Sequence, residues 1–377
     1  MKIGLYIHIP FCQQKCLYCD FPSHAGLETL YQPYIAALCR EISGVGGVLS
    51  SDIVDTIYIG GGTPTVLTET GLSQILQQVQ TSFAVDKNAE ISMEANPGTV
   101  DFDKLLALRA AGVNRISFGV QTFDDSLLAS IGRIHSAAQG VEAVKMAKRA
   151  GINNINIDLM YGLPGQTREQ LEDSILQAAA LDVTHISAYG LKVEEGTPFA
   201  MLQQQGVLNL PAEELDEVMY DLTTQLLPAK GFIRYEISNF AQPGYECRHN
   251  LKYWQYQPYR GVGAAAHSFL DSERLANSAD VATYIDTALQ GLSPIAVREI
   301  PEPSLAMAEY VFLALRTVQG LSVQNFNRYF KADFFTYYEE AIRILTGKNL
   351  IVATEKKVFL TEIGMKYGNV VFGAFLP

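Results

Sequence analysis

The sequence is short of cysteine, tryptophan and positive charge, and each shortage excludes something. Five cysteines in 377 residues are too few for a disulfide scaffold. Lysines and arginines number 28 against 40 aspartates and glutamates, a net charge of −12. That balance removes any general electrostatic reason to gather on nucleic acid or anionic lipid, so no nucleic-acid partner is expected. No run approaches the roughly 18 consecutive apolar residues of a membrane span. The opening MKIGLYIHIPFC reaches the first cysteine without a secretory-signal pattern, so the expected compartment is the cytoplasm. A hydrophobic fraction of 48% provides for a large core, and the length suggests two or three domains.

What cysteine there is lies close together. Cys12, Cys16 and Cys19 fall within eight residues in YIHIPFCQQKCLYCDF, on the tail of a hydrophobic strand, and no fourth cysteine follows. Cys39 stands alone in the helical stretch YIAALCREI and reads as a small buried hydrophobe. Cys247 also stands alone, beside a segment of more interest.

From Met1 to about Gly190 six short β-branched runs alternate with amphipathic ones. The runs are KIGLYIHI, VDTIYIGG, EISMEAN, NRISFGVQ, NINIDLMYG and THISAYGL. Six β-α steps predict parallel strands covered by helices, in an open doubly wound sheet or a complete or partial (β/α) barrel. In either case chemistry collects at the C-terminal strand ends. Those ends carry the cysteines, then Gly-Gly-Gly-Thr, then Glu-Ala-Asn-Pro-Gly, then Gln121, with Asp158 in the fifth strand. Residues 191–300 lose the repeat and read as an α/β extension with an aromatic, glycine-rich stretch. Residues 301–377 read as three helices and a β-hairpin, a winged-helix-like module. Its third helix carries Glu339 and Glu340 and little positive charge, which argues against DNA binding.

Three thiolates spaced C-x3-C-x2-C can hold three corners of a cubane. Soft thiolates favour an iron-sulfur cluster or zinc. Structural zinc wants four closed ligands, for which His8 and His24 are the candidates. The spacing is not that of a zinc ribbon or finger, and a [4Fe-4S] cluster with one open iron is the better account. The glycines of GGGTPT, Gly60, Gly61 and Gly62 with Thr63, allow backbone groups to approach a ligand closely.

The cysteine spacing, with Tyr18 before the last cysteine, resembles the radical S-adenosylmethionine superfamily, and YIHIPFC…YCDF resembles its coproporphyrinogen dehydrogenase branch. The resemblance implies a partial (β/α)6 TIM-like barrel. It also implies that S-adenosyl-L-methionine chelates the fourth iron of the [4Fe-4S] cluster by its amino and carboxylate groups. It assigns the methionine moiety to the Gly60–Thr63 loop, the ammonium to Glu94, the ribose hydroxyls to Gln121 and Asp158, and the carboxylate to Arg133. Tyr6 is expected against the same cosubstrate.

Two departures point to a subgroup. The dehydrogenase has a further cysteine two residues after the last cluster ligand and an N-terminal extension; here the position is Phe21, and the chain begins almost at the first strand. Both features resemble the HemW haem chaperones. The segment HNLKYW resembles the H-N-x-x-Y-W haem-binding signature of that subgroup. It implies His249 as axial ligand and Tyr253 and Trp254 as walls for the macrocycle. GVGAAAHS, with His267, also resembles the family, but Ala265 stands where glycine is usual, and His267 reads as structural. Arg234, Arg248 and Arg260 are available for haem propionates or for the carboxylates of a porphyrinogen. The expected function is haem delivery to a respiratory haemoprotein, membrane-associated, with this chain cytoplasmic or peripheral to the inner face of the membrane. The alternative is oxygen-independent coproporphyrinogen III dehydrogenase. A monomer, or a dimer that depends on the cluster, is expected.

Overall fold

The computed structural model describes all 377 residues. Six parallel strands run in chain order, β1 (Lys2–Ile9), β2 (Ile53–Gly61), β3 (Ala84–Ala95), β4 (Arg115–Gln121), β5 (Asn154–Tyr161) and β6 (His185–Gly190). Each is followed by helical cover, as the alternation predicts. Several covering helices start where their own side chains satisfy the free N–H groups of the first turn. Ser136 with Gln139 and Thr167 with Gln170 form capping boxes for the helices Ala137–Arg149 and Arg168–Ala180.

Period-2 alternation divides the strands into an apolar outer face and a polar inner one. Ile3, Leu5, Ile7, Ile57, Ile59, Met93, Ile116, Phe118, Ile155 and Ile157 are buried in the cores beneath the helices. The intervening residues pair across strands as Tyr6 with Tyr58, Glu94 with Ser117, Ser117 with Asn156, and Asp158 with Ser187. The fold is therefore an open α/β barrel whose interior is lined with hydrogen-bonding groups.

The barrel does not close. Strands from residues 233–299 extend both edges of the sheet: β7 (Ile233–Glu236) and β8 (Asn239–Ala241) lie beside β6, and β9 (Tyr259–Val262), β10 (His267–Leu270), β11 (Glu273–Asn277) and β12 (Ile295–Glu299) beside β1. β9 pairs with β1 in parallel; β10, β11 and β12 return antiparallel. The result is one 12-stranded sheet. Beyond it, helices Pro303–Leu315, Val323–Phe330 and Glu339–Gly347 pack on a small sheet of β13 (Leu321–Ser322), β14 (Ile351–Ala353) and β15 (Lys357–Leu360) around their own apolar core. This module docks on the barrel through Ile237 N–H to Arg316 C=O (3.1 Å) and an Arg316–Glu236 ion pair (3.3 Å). No helix is long and apolar enough to cross a membrane.

One buried carboxylate fastens the added strands to the barrel. Glu41, on the helix Tyr31–Val48, accepts from Gly263 N–H (2.8 Å), Asn277 Nδ2 (2.8 Å) and the Tyr284 hydroxyl (2.6 Å), with Arg260 at 3.7 Å. Burial raises its carboxyl, and those hydrogen bonds oppose the rise. Glu41→Ala would leave an amide, a hydroxyl and a guanidinium buried without their acceptor. It is expected to lower stability by about 3 kcal/mol in chemical denaturation; a loss under about 1 kcal/mol would show the network to be replaceable.

Candidate functional site

The cysteine loop leaves β1 at Pro10 and is tied back on itself. Cys12 N–H donates to His24 C=O (2.9 Å) and His24 N–H to Pro10 C=O (2.8 Å). Further along, Leu17 N–H reaches Ile131 C=O (3.2 Å) and Phe199 N–H reaches Leu17 C=O (3.0 Å), so the loop is anchored to two other segments. Cys12, Cys16 and Cys19 all border one cavity of about 510 Å³ at the C-terminal strand ends. No three His, Cys, Asp or Glu side chains converge on a point that would hold a single metal ion. His8 is not free to complete a zinc site, because its Nδ1 meets the Tyr6 hydroxyl and its Nε2 the Pro22 carbonyl, both at 2.9 Å.

The glycine loop lies directly against the cysteine loop. Gly62 N–H donates to Ile9 C=O (2.9 Å) and Thr63 N–H to Phe11 C=O (2.7 Å), while the Thr63 hydroxyl points at Cys12 Sγ (3.6 Å). A Cβ on Gly62 would stand 2.5 Å from the Phe11 oxygen and 3.0 Å from Cys12 Sγ, and Gly61 takes a φ of +117°. Only glycine permits both. Gly61, Gly62 and Thr63 border the cavity; Gly60 does not, being packed against the Glu94 carboxyl instead.

Glu94, Gln121, Arg133 and Asp158 meet on the wall of this same cavity. Glu94 accepts from the Tyr58 hydroxyl (2.8 Å) and Gly61 N–H (3.1 Å). Burial, with Asp158 adding to it, pushes its carboxyl up to about 7 against the pull of those donors. Asp158 is likewise raised by burial and is held by Asn156 Nδ2 (2.7 Å) and the Ser117 hydroxyl (3.3 Å). Two carboxyl groups raised in this way favour a cation between them. Gln121 ends β4 at a φ of +70°, a left-handed conformation rare outside glycine, and accepts from the Tyr189 hydroxyl (3.1 Å). Such strain concentrates at ligand sites. Arg133 reaches Cys16 Sγ (3.4 Å) with Nη1 and the Gly119 carbonyl with Nη2. Its Nε is buried without a partner, as is Oδ1 of Asn96 on the same wall.

Several expected residues lie elsewhere. Tyr6 does not border the cavity; it stacks on Tyr58 (centroids 6.3 Å, 24°), and Tyr58 is the tyrosine on the wall. His249 is fully buried on the helix Arg248–Trp254, with Nδ1 on the Thr56 hydroxyl (2.9 Å) and Nε2 on the Tyr253 hydroxyl (2.8 Å). Both ring nitrogens are engaged with hydroxyl groups, so acting as the expected axial ligand would mean exchanging one of these hydrogen bonds. Its ring lies 5.3 Å from that of Tyr58 at 26°, and Asn250 beside it borders the cavity, so this helix forms the cavity floor. Arg234 is bound to Ile237 C=O (2.6 Å) and the Tyr220 hydroxyl (3.0 Å), Arg248 to Asn88 C=O (2.8 Å), and Arg260 is near Glu41. The arginines on the cavity wall are Arg115 and Arg133. Tyr253 and Trp254 border a second cavity of about 260 Å³. Cys39 is buried in the core, and burial pushes the Cys247 thiol up to about 12.

The chain is 39% identical to the protein named heme chaperone HemW of Bacillus subtilis over 372 residues, spanning 98% of both chains. It belongs to the HemW family. The proteins of the same name from Lactococcus lactis and Synechocystis are 36% and 37% identical, across 98% and 99% of this chain and 96% of each relative. The radical SAM superfamily profile matches residues 6–178 and that of the HemN C-terminal domain residues 304–366. The structure of coproporphyrinogen III oxidase from Escherichia coli superposes with a TM-score of 0.87 at 23% identity, covering 99% of this chain and 89% of that one, and so shares its fold.

In this HemW chain, sequence reasoning missed Tyr58, Arg115, Asn156 and Tyr189 on the cavity wall. Alternation held the signal: Tyr58 shares a strand face with Gly60, and Asn156 shares one with Asp158. It also missed Glu90, whose carboxylate accepts from Arg248 N–H (3.0 Å), His249 N–H (3.1 Å) and the Cys247 thiol (3.7 Å), capping the floor helix from β3. Glu90→Ala is expected to raise amide hydrogen exchange across residues 248–254 by at least about tenfold, since each buried donor left open costs about 1–3 kcal/mol. Unchanged protection there would mean that side-chain packing alone holds the helix.

Proposed function

We propose that this chain is a haem chaperone that carries a [4Fe-4S] cluster on Cys12, Cys16 and Cys19, binds S-adenosylmethionine beside it, and delivers haem to haemoproteins of the respiratory chain. The observation that carries the reading is the gathering of three thiols, two raised carboxyl groups and Arg133 on one cavity wall. The donor set fits the group: soft ligands spread along a cavity suit separate irons of one cluster better than a single ion. When bound, the cluster supplies an electron able to cleave the sulfonium of its cosubstrate. Cys12 is held by Thr63, and Arg133 stands against Cys16 with Nε unpartnered, ready for a carboxylate. Glu94 would take the ammonium, Gln121 and Asp158 the ribose hydroxyls, and Gly61, Gly62 and Thr63 the methionine chain. The haem part of the reading rests on the names of the relatives. We assign cluster and cosubstrate to residues 1–190, haem to a segment within 191–300, and a separate packing module to 301–377. The chain would act in the cytoplasm, at or near the membrane that holds its recipients.

Phe21, 64% exposed on the cavity rim, occupies the position where the dehydrogenase pattern has a cysteine. The chaperone reading is therefore preferred to porphyrinogen oxidation. The test is a paired assay on anaerobically reconstituted protein. Stoichiometric haem binding without turnover of coproporphyrinogen III is expected; turnover with S-adenosylmethionine and a reductant would overturn the reading.

Two expected outcomes concern the site itself. Cys16→Ala should abolish the cluster's visible absorbance after reconstitution, and an undiminished spectrum would remove Cys16 from the ligand set. For pH, the sign follows from the raised Glu94 carboxyl. Ionising it costs folded-state stability above its ordinary value near 4.5, and a bound ammonium reverses that cost only once the group is ionised. Affinity for S-adenosylmethionine should therefore rise severalfold between about pH 5.5 and pH 6.5, below the α-amino range near 7.7–8.0 in which the ligand's own ammonium titrates. Glu94→Gln should bind weakly with a flat profile. A flat wild-type profile, measured by calorimetric titration, would take Glu94 out of ammonium recognition.

A further inference from the structure

Two arginines are buried in the protein, Arg115 and Arg260. Arg260 lies 3.7 Å from the Glu41 carboxylate. Arg115, the first residue of β4 and 2% exposed, has no such neighbour. Its Nε is buried without an acceptor, no carboxylate stands within ion-pair distance, and its guanidinium borders the large cavity. A guanidinium stays charged inside a protein, and a buried charge without a counter-charge is costly. The acids around it are already in use. Glu90 serves the amides of the floor helix, Glu94 accepts from Tyr58 and Gly61, and Asp158 accepts from Asn156 and Ser117.

Strand register places Arg115 below the site described above. It pairs with Ser92 of β3 and Asn154 of β5, and Ser117, next on the same inner face, pairs with Glu94 and Asn156. Arg115 therefore enters the barrel about 7 Å deeper than the level of Glu94. That is one inward step above Glu90, close to the floor helix, whose Asn250 borders the same cavity. The carboxylate of S-adenosylmethionine shares a carbon with its ammonium. In the proposed reading that end faces the cysteine loop, where Arg133 stands 3.4 Å from Cys16 Sγ. The cosubstrate therefore leaves Arg115 without an anion.

We propose that Arg115 anchors the carboxylate of a second, small ligand held in the barrel interior beneath S-adenosylmethionine. The inference rests on the cosubstrate reading for the upper part of the cavity. A carboxylate meets the planar fork of a guanidinium with two parallel hydrogen bonds, and its single charge matches that of one arginine. The amide of Asn250 offers a further polar group on the floor side. The cavity, about 510 Å³, lies in the lower half of the usual range of roughly 300–1,000 Å³ and is shared with the cosubstrate, so the ligand is a short acid.

The test is a titration of acetate and of propionate into the cluster-loaded full chain saturated with S-adenosylmethionine, followed by saturation-transfer NMR on the methyl protons of the acids. The wild type is expected to bind both acids saturably, with S-adenosylmethionine still in place. Arg115→Lys, which keeps the charge and loses the fork, and Arg115→Gln should each weaken the acids by at least about tenfold. Arg298→Lys, at an exposed arginine, should match the wild type. A crystal structure of the wild type with propionate should show the carboxylate on Arg115, a check that does not depend on the variants folding. The site is overturned by any of three results: no saturable binding, wild-type affinity in both Arg115 variants, or displacement of the acids by S-adenosylmethionine, which would give Arg115 to the cosubstrate itself. A wild type that holds propionate on Arg115 and binds no S-adenosylmethionine would instead overturn the cosubstrate reading alone.

Discussion

The Glu90 carboxylate, reaching across from β3, holds the N-terminus of the seven-residue helix Arg248–Trp254, and both cavities depend on that hold. The first amides of a helix have no partner within it, and here they are buried, where water cannot serve them. Lys252, buried with Asp55 at 2.8 Å, fixes the far turn. A helix of this length spans about 10 Å, enough to reach from beneath Tyr58 to the second cavity. His249 at one end supports the Tyr58 ring whose hydroxyl holds Glu94. Tyr253 and Trp254 at the other end wall the aromatic cavity. The hydrogen bond between Tyr253 and His249, one turn apart, links the two.

Much of the first cavity was legible because strand periodicity is a local signal. Six alternating runs predict parallel strands, and parallel strands predict that Cys12, Gly61, Glu94, Gln121 and Asp158 meet although 146 residues separate the first from the last. The resemblance then assigned roles to positions the fold does bring together. Less legible was everything set by long-range pairing. β9 joins the sheet beside β1, a contact between Gly4 and Tyr259 that no local pattern encodes. Arginines were misread for a similar reason: Arg234, Arg248 and Arg260 are partnered by groups that composition does not reveal. Tyr6 lies off the cavity wall, because alternation tells which face of a strand a residue occupies, not its depth along the barrel.

The first cavity also has a charge pattern suited to a particular class of ligand. Glu94 and Asp158 are both raised by burial, so each gains from a nearby positive charge, while Arg133 supplies a guanidinium with one nitrogen unpartnered. S-adenosylmethionine carries an ammonium and a carboxylate, which in the proposed reading face Glu94 and Arg133, with Arg115 on the same wall.

Ala265 shows how the added strands are fixed to the barrel. Its φ of +59° belongs to the left-handed region, which costs an alanine about 1 kcal/mol that a glycine would not incur. The turn persists because its backbone is fully used: Ala265 N–H donates to Ser278 C=O (2.8 Å), Ala266 N–H to Gly263 C=O (3.2 Å) and Asn277 N–H to Ala266 C=O (3.0 Å). Gly263 N–H and Asn277 Nδ2 are in turn held by Glu41. The strained turn is thus fastened to the barrel's first helix, and it sets the start of β10 with little freedom. His267 is the first residue of that strand. Its ring is exposed, while its backbone is set by the turn and by pairing with Ala276 of β11.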